Sequence, residues 1–272
     1  MVEKYSIIST SVRATPGSSE KKLKLALKEP SWLYEQVIPM HRFTLFLLVA
    51  FLPSCDSYSV KQIPVEVPAG LVVPEEMVYV PAGEFIMGHA EAPGTFGGKP
   101  IESSAYFIDR YEVSHERYQK LRSKHSFHPK KARWPVSLVT FIEAESFCLD
   151  QGKRLPTEIE WEKAARGTDG RKWAWKIYVD HPNNGFSGFM PEPVDKREEW
   201  ISPYGVHGMG HNVWEWTADD YKGQAVGENF KVIRGGLLQT HLTIKFSPTW
   251  FRNWMDPKAK LNFMGFRCVK SV

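Results

Sequence analysis

The stretch GKRLPTEIEWEKAARG, residues 152–167, carries the clearest folding information in this chain. Thr157 and Glu160 stand three residues apart at its centre. This is the pattern of a capping box, in which each side chain bonds the backbone N–H of the other residue. Gly167 closes the stretch, as glycine commonly does at the end of a helix. The stretch therefore predicts a short helix between Thr157 and Gly167.

A second helix is predicted directly upstream. Thr140 and Glu143 repeat the capping box before FIEAESFCLDQG, and Gly152 is expected to end the helix. The apolar face of this helix consists of Phe141, Ala144, Phe147 and Cys148. The link between the two helices, KRLP, is short, so the helices are expected to lie close together.

Strands are predicted on either side of the helices. MVYVPAGEFIMG, residues 77–88, is rich in β-branched and aromatic residues around a Pro and a Gly, which indicates strand, turn and strand. After Gly167 only short strand patterns occur. In one of them Trp214 and Trp216 alternate around Glu215, so both side chains are expected to face the same side. Short helices beside short strands predict one α+β domain over residues 77–272.

Three arginines are expected to hold loops in place. Arg154 precedes the predicted helix that begins at Thr157, Arg166 lies in the last turn of that helix, and Arg234 lies in VIRGG. The fixed fork of a guanidinium suits hydrogen bonds to carbonyls and carboxylates.

Composition places the chain among packed globular proteins. Of its 272 residues, 42% are hydrophobic and 13% aromatic, which argues against disorder. The formal net charge is +4, and from residue 55 onward 28 Lys/Arg face 27 Asp/Glu. This balance argues against a nucleic-acid partner, which would need a clustered basic excess. The basic loop around HSFH, residues 125–128, is expected to be a solvated surface.

The N-terminal part resembles an export sequence. MHRFTLFLLVAFLPSC begins at Met40 with a short basic start, continues as an apolar run and ends at Cys55. The run is too short for a membrane-spanning helix and fits the core of a signal peptide. Its ending resembles a bacterial lipobox, whose cysteine is acylated and becomes the mature N-terminus. We expect a signal peptide over 40–54, an acylated Cys55 and a tether over 55–76. A buried apolar segment of a soluble domain is the alternative.

Residues 1–39 would make an unusually long leader for such a sequence. They mix Ser, Lys, Glu and Pro without a clear period. We expect native translation to start at Met40, which makes residues 1–39 a non-native upstream extension.

The chain contains three cysteines. If Cys55 carries lipid, the exported domain keeps Cys148 and Cys268. These two can form one internal disulfide or remain as buried free thiols.

Seven motifs follow one another between residues 77 and 272: MVYVPAGEFIMG, FIDRYEVSHERY, PVSLVTFIEAESFC, GKRLPTEIEWEKAARG, HNVWEWT, VIRGG and GFRCV. In this order they resemble the formylglycine-generating enzyme (sulfatase-modifying factor) family. The resemblance implies a C-type-lectin-like α+β fold that is rich in loops. It also implies a disulfide between Cys148 and Cys268, which stand where the family commonly has one.

The same resemblance argues against the known chemistries of the family. Its sulfatase-activating enzymes hold copper with two cysteines shortly after the GG pair. Thr240 and Lys245 fall at those positions, so the thiolates that Cu(I) needs are missing. Its sulfoxide synthases hold iron with three histidines, partly from a separate helical domain, and no such domain fits between Cys55 and Met77. Copper and iron are disfavoured, no cofactor is required, and we expect no catalytic residues.

Calcium is the metal that the resemblance allows. One family site takes oxygens near the GNVWEW loop, and here Glu215 and the carbonyl of Val213 are the candidates. Asn184 matches part of a second site loosely. Gly208 stands where Asn or Asp is usual and His211 replaces a glycine, so a site needing six to eight oxygens is expected to be weakened or lost.

The stretch VIRGGLLQTHLTIKFSPTWFRNW, residues 232–254, is the candidate binding surface. Its aromatic, Arg and Asn side chains are typical of recognition surfaces, and display proteins of this fold bind through the equivalent region. The candidates are Gln239, Thr240, His241, Lys245, Trp250, Arg252, Asn253 and Trp254. The alternative is that these residues only pack the loop.

Two other functions stay open. A family oxidoreductase with altered metal ligands would use His207, His211 and His241, although two histidines in the glycine-rich HGMGH leave a metal short of ligands. A structural subunit of an envelope complex would need no small ligand.

The sequence thus predicts an exported, membrane-anchored bacterial lipoprotein, in the periplasm or at the cell surface. Its domain is expected to bind or scaffold without catalysis. The expected partners are the membrane, through the lipid, and an unidentified envelope protein or glycan.

Overall fold

The computed structural model of this chain describes residues 65–92, 94–175, 191–222, 229–236 and 248–272, apart from the side chain of Glu199. The expected upstream extension, signal peptide and acylated cysteine lie outside these residues. So do five site candidates: Asn184, Gln239, Thr240, His241 and Lys245. In the described part of the chain, no helix is long and apolar enough to cross a bilayer.

Three small sheets carry the fold. In the first, β1 (Met77–Val80) and β9 (Val269–Ser271) pair antiparallel with the central β4 (Tyr106–Asp109). The second is a hairpin of β2 (Gly83–Met87) and β3 (Lys99–Ser103). The third has β5 (Trp214–Asp220) and β6 (Lys231–Gly235) at its centre, with β7 (Arg252–Met255) beside β6 and the short β8 (Met264–Gly265) parallel to β5.

The described residues contain three α-helices, which are α1 (His115–Leu121), α2 (Phe141–Leu149) and α3 (Glu158–Arg166). They also contain two 3₁₀ helices, Pro129–Lys131 and Glu198–Trp200. Both predicted capping boxes are confirmed, with reciprocal side-chain to backbone bonds at the N-termini of α2 and α3. Gly167 follows α3 with a φ of 71°, a left-handed conformation that glycine adopts without strain.

Gly152 ends helix α2, as its sequence predicts. Leu149 is the last residue with regular helical bonds, and Gly152 adopts a left-handed conformation with a φ of 63°. Its N–H bonds the carbonyl of Leu149 at 2.9 Å, and the N–H of Lys153 bonds that of Cys148 at 3.0 Å, which is the hydrogen-bond pattern of a glycine C-cap. The turn brings Arg154 alongside Val269, and their backbones exchange hydrogen bonds of 2.9 and 2.7 Å. The glycine therefore serves the turn toward β9.

The larger core lies between α2 and the third sheet. Trp214 and Trp216 both face it, as their alternation around Glu215 predicts. A disulfide joins the fully buried Cys148 and Cys268, whose Cα atoms are 5.6 Å apart. Closing a loop of this length stabilises a domain by up to about 4–5 kcal/mol in the chain-entropy account.

A second core lies on the other side of α3. It gathers Val80, Tyr106, Ile108, Trp161, Ala164, Ala165, Trp175, Trp200 and several smaller side chains. Helix α3 is thus buried between this core and the third sheet, and even its charged residues Glu162 and Lys163 are almost fully inaccessible. The chemistry of the candidate site follows from that placement.

Candidate functional site at the β7 edge

A row of charged residues crosses the third sheet. Glu215 of β5 lies opposite Arg234 of β6, and Arg234 lies opposite Arg252 of β7. Side chains that oppose one another in antiparallel strands point to the same face. The three charges therefore share one face of the sheet, whereas Trp216 and Ile233 face the larger core.

Helix α3 covers the charged face and supplies opposite charges. Glu162 accepts hydrogen bonds from Arg234 and Arg166, each at 2.7 Å. Glu158 accepts one from Arg252 at 2.7 Å and lies 3.4 Å from Arg234. Charges of alternating sign thus run from the interior to the edge of the sheet. We call Arg166, Glu162, Arg234, Glu158 and Arg252 the ion-pair chain.

The ion-pair chain is almost completely removed from water. The side chains of Glu162 and Arg234 have no exposed surface, and that of Arg166 is 1% exposed. Burial raises the pKa of Glu158, against the opposing influence of Arg234 and Arg252. Buried charges are tolerated when each keeps its partner. The chain therefore fixes α3 to the sheet in one geometry.

The ion-pair chain also holds the loop between β2 and β3. Glu162 accepts the N–H of Gly88 at 2.7 Å, and Arg166 donates to the carbonyl of Gly88 at 2.9 Å. At the other end, Arg252 donates to the carbonyl of Gly94 at 3.3 Å. The loop-holding role expected of Arg166 is thus confirmed.

Arg252 brings the ion-pair chain to the surface, where 17% of its side chain is exposed. Its guanidinium lies between the rings of Phe96 and Tyr221, at 5.6 and 5.2 Å from their centroids. Each such contact contributes about 0.5–1 kcal/mol at an exposed position. The buried Nε of Arg252 meets no acceptor among the described residues.

Further rings extend this surface along β7. Trp254 lies 6.1 Å from Tyr221 and meets Phe230 edge-on at 4.9 Å. Phe96 remains 36% exposed. We call Phe96, Tyr221, Phe230, Arg252 and Trp254 the β7 face. Partly exposed aromatic rings around an arginine are typical of recognition surfaces.

The backbone of β7 lies at one edge of the described sheet. The N–H of Trp254 donates to the side-chain oxygen of Asn253 at 2.9 Å. An edge strand presents backbone groups that can pair with another chain, and proteins commonly cover such groups. Asn253 is a cover of this kind.

The sequence-predicted binding residues therefore separate into two groups. Arg252 and Trp254 belong to the β7 face, with Asn253 beside them. Trp250 instead packs between the loop after β2 and α3, because its ring stacks on His89 at 4.3 Å and lies 5.4 Å from the guanidinium of Arg166. The structure thus gives Trp250 a packing role in place of the free anchor that its sequence context suggests.

Three residues of the β7 face were missed by sequence reasoning. Phe96 lies among glycines in PGTFGG, and an aromatic residue in such a loop is a usable indication of exposure. Tyr221 and Phe230 lie in no recognisable motif. They reach the site because the chain reverses between β5 and β6, where Tyr221 bonds the Phe230 carbonyl at 2.7 Å.

The calcium candidates near the WEW motif do not form a site that fits calcium. Both carboxylate oxygens of Glu215 are held by Arg267, each at 2.7 Å, and one also accepts the indole N–H of Trp161 at 2.9 Å. A fully buried guanidinium thus stands against the carboxylate that a calcium ion would need. Without the Glu215 carboxylate, the other candidate ligand, the carbonyl of Val213, is left without a charged oxygen partner for binding calcium.

Gly208 explains the missing oxygen ligand. A Cβ at this position would lie 2.3 Å from the carboxylate of Glu112, so an Asn or Asp side chain has no room there. Glu112 accepts a hydrogen bond from Asn212 at 3.1 Å. Burial raises the pKa of Glu112 to about 7, with Arg267 opposing the shift and Glu215 adding to it. A buried carboxyl group thus fills the space beside the loop.

The two described histidines of HGMGH pack against aromatic rings. His207 lies 4.8 Å from Tyr111, and burial, followed by the charge of Arg267, lowers its pKa to about 4. His211 meets Trp175 and Trp200 edge-on at 5.6 and 5.0 Å. Within the described ranges no three His, Cys, Asp or Glu residues are grouped so that they could hold a metal ion.

Comparison with known proteins identifies the family. The family described as "Sulfatase-modifying factor enzyme 1-like domain" matches residues 67–272. The chain is 38% identical over 167 residues to "Inactive C-alpha-formylglycine-generating enzyme 2" of Bos taurus, covering 53% of this chain and 52% of that protein. It is 28% identical over 266 residues to "Uncharacterized protein YfmG" of Bacillus subtilis (strain 168), covering 72% of this chain and 54% of that protein. The chain spans about half the length of these two relatives.

Solved structures agree on the fold. "Treponema denticola variable protein 1" is similar with a TM-score of 0.58 at 20% sequence identity, over 72% of this chain and 95% of that chain. Identity at this level establishes the fold alone. The expected fold class, an α+β domain of the formylglycine-generating enzyme type with C-type-lectin-like architecture, is confirmed.

Proposed function

This chain belongs to the sulfatase-modifying factor family, and we propose that its domain is a noncatalytic binding module that takes its ligand on the β7 face. One observation carries the proposal: Arg252 and Trp254 are held at a sheet edge, among partly exposed rings, by a buried ion-pair chain. A rigid and partly exposed aromatic and arginine surface loses little entropy when a ligand binds.

The absence of catalysis is supported by the sequence. The resemblance places Thr240 and Lys245 where the copper-binding cysteines of the family stand, and neither side chain supplies a thiolate. Both cysteines in the described part of the chain are consumed by the disulfide. The relative from Bos taurus is itself named an inactive enzyme.

The ligand that suits the β7 face is an extended segment of an envelope protein. The N–H of Trp254 donates to the side chain of its neighbour Asn253. An incoming strand can replace that amide and continue the sheet, while the rings of Phe96 and Tyr221 receive its alternate side chains.

We further propose that the domain is exported and tethered by an acylated Cys55. The support is the sequence LPSC at the end of an apolar run. A Cys55→Ala chain should leave the membrane fraction of cells that produce it. Retention there, with the apolar run cleaved, would contradict lipid anchoring.

The binding proposal is tested by photo-crosslinking in intact cells. A photoreactive phenylalanine analogue at position 254 should yield a discrete adduct, and Tyr221→Ala should weaken it about tenfold or more, as loss of a central aromatic contact does. The control places the same analogue at Ile142, which is 62% exposed on α2, against the opposite face of the sheet. Equal adducts at both positions, or no effect of Tyr221→Ala, would contradict a specific site.

Metal analysis separates this function from the oxidoreductase alternative. The purified chain should contain no stoichiometric copper or iron by elemental mass spectrometry. Near-stoichiometric copper or iron would overturn the noncatalytic assignment, and His207, His211 and His241 would then be the first residues to replace.

A further inference from the structure

A strongly basic segment is hidden by the balanced charge of the whole chain. Residues 120–133 contain six Lys/Arg and no Asp or Glu, whereas the formal net charge of the entire chain is +4. The residues outside this segment therefore have a net negative charge, and the net positive charge of the chain comes from the segment.

The segment forms one compact unit with α1. Backbone bonds of 2.9 and 3.1 Å join His115 to Trp134 and Glu116 to Ala132. His115 and His125 meet through ring nitrogens 2.9 Å apart. In HSFH, Ser126 and His128 are exposed, as expected of a solvated surface, whereas His125 and Phe127 are half-buried beside α1.

Two of the six cations are neutralised locally. Arg122 pairs with Asp150 at 2.7 Å, and Arg133 pairs with Glu116 and Asp195 at 3.1 and 3.0 Å. Each of the other four is exposed, and no carboxylate of the described residues lies within 4 Å of its Nζ. These four are Lys120, Lys124, Lys130 and Lys131, which we call the lysine patch.

The lysine patch includes an exposed apolar side chain. Leu121, between Lys120 and Arg122, is 43% exposed. An exposed leucine within a lysine-rich segment matches the headgroup and acyl boundary of a bilayer, because ammonium groups bind phosphates while the apolar side chain enters. We propose that the lysine patch is a docking surface for an anionic phospholipid membrane.

Part of the expected tether is packed against the domain. Val65, Leu71 and Val73 lie against the core formed by Met77, Tyr79 and Phe107. Cys55 precedes Val65 by ten residues, and ten residues span at most about 35 Å. An acyl anchor at Cys55 would therefore keep the domain close to the bilayer, where a polybasic surface acts within about a Debye length.

The expected contribution is large and depends on salt. Each lysine near an anionic surface strengthens partitioning about fivefold, so four together contribute several hundredfold. The Debye length shortens from about 8 Å at physiological ionic strength to about 3 Å at 1 M salt. High salt should therefore release a domain that is held by the patch alone.

The test uses the chain from Asp56 onward, which keeps every described element and lacks both the apolar run and the acylation site. After a cooperative melt shows that it is folded, it is sedimented with vesicles of phosphatidylcholine alone or with 30% phosphatidylglycerol. We expect binding only to the anionic vesicles, reduced at least a hundredfold when the four lysines of the patch are replaced by Glu. The matched control replaces four exposed lysines elsewhere that form no ion pair with a carboxylate of the described residues: Lys99, Lys222, Lys258 and Lys270.

Three results would overturn the proposal. The first is equal binding to neutral and anionic vesicles, or none to either at low salt. The second is an equal loss in the patch and control variants, which would indicate an effect of net charge. The third is tighter binding to double-stranded DNA than to anionic vesicles at the same salt. The outcome is independent of acylation and of the β7 face, since Tyr221→Ala should leave vesicle binding unchanged.

Discussion

Glu162 is the residue whose removal most directly tests the ion-pair chain. Its carboxylate accepts the Gly88 N–H and the guanidinium groups of Arg166 and Arg234, all at 2.7 Å. Glu162→Gln keeps the shape and one acceptor oxygen but turns an amide donor toward one of the arginines. Arg166 loses the carboxylate that neutralises it within the described structure, and Arg234 keeps only the more distant Glu158 at 3.4 Å.

The magnitude follows from burial. Breaking a buried ion pair by neutralising one partner destabilises a protein by about 3–5 kcal/mol. In a domain of this size, 1 kcal/mol corresponds to about 2–4 °C in Tm. Glu162→Gln should therefore lower the Tm by about 6–20 °C. Burial already lowers the pKa of Arg166, which agrees in direction with a guanidinium that depends on its partner.

Glu143→Gln provides the matched control. The same chemical change at this residue affects an exposed pair with Lys260, in which the side chains are 41% and 51% accessible. Exposed pairs contribute about 0–1 kcal/mol, and Gln can still accept the Thr140 N–H of the capping box. Thermal melts of the two variants, recorded together, should differ by several degrees.

A second measurement follows the loop that Glu162 holds. The N–H of Gly88 loses a charged acceptor in the variant, so hydrogen exchange across the loop between β2 and β3 should accelerate. The reasoning is refuted if Glu162→Gln stays within about 1 kcal/mol of Glu143→Gln and the Gly88 amide exchanges at its original rate.

Three further outcomes are expected from the structure. Replacing Cys148 and Cys268 together by Ala should lower the free energy of unfolding by about 2–5 kcal/mol, and an unchanged denaturation midpoint would contradict a stabilising bridge. Leu138 has a φ of 60° and is 55% exposed. Leu138→Asn should raise the Tm by a few degrees, because asparagine tolerates this left-handed conformation and relieves about 1 kcal/mol of strain. A lower Tm would refute this expectation. Burial, then the neighbouring His125 and Lys131, lowers the pKa of His115 to about 4 from 6.5. Between pH 6.5 and 4, His115 therefore binds a proton in the unfolded chain but stays neutral in the folded protein. The contribution of His115 to the free energy of unfolding falls as the pH drops through this range. Melts of His115→Gln should lose that part of the pH dependence, and subtraction of the two profiles removes the opposite contribution of the buried carboxyl groups.

Local structure in this domain could be predicted because its determinants are local. Each capping box lies within four residues, and both helices begin where those residues place them. The alternation of Trp214 and Trp216 likewise needs only the geometry of one strand. Such features depend on neighbouring residues, so one sequence is sufficient to find them.

The ion-pair chain could be anticipated only in part. In the sequence, the arginines indicate that guanidinium groups bind loop carbonyls or carboxylates. Glu158 and Glu162, however, have the pattern of the polar face of an exposed helix. Their partners Arg252 and Arg234 lie 94 and 72 residues further along the chain. Only the packing of α3 between two cores turns these side chains inward. The β7 face depends on that packing, and its full set of residues was inaccessible to sequence reasoning for the same reason.

Glu215 shows how one distant contact decides the chemistry of a motif. In HNVWEWT this acid could bind a cation, donate a proton or neutralise a base, and the motif alone does not choose among them. The choice is made by Arg267 of GFRCV, 52 residues away, which binds both carboxylate oxygens while also donating to the carbonyl of His207. A guanidinium supplies a fixed positive charge and directed donors at the place where calcium would otherwise draw oxygens together. The side chain of Arg267, in place of a bound ion, thereby holds the loop before β5. We therefore expect the stability of this loop to be independent of calcium. A Tm that rises by more than about 2 °C when millimolar calcium is added to the chelator-treated protein would show instead that cation binding is retained.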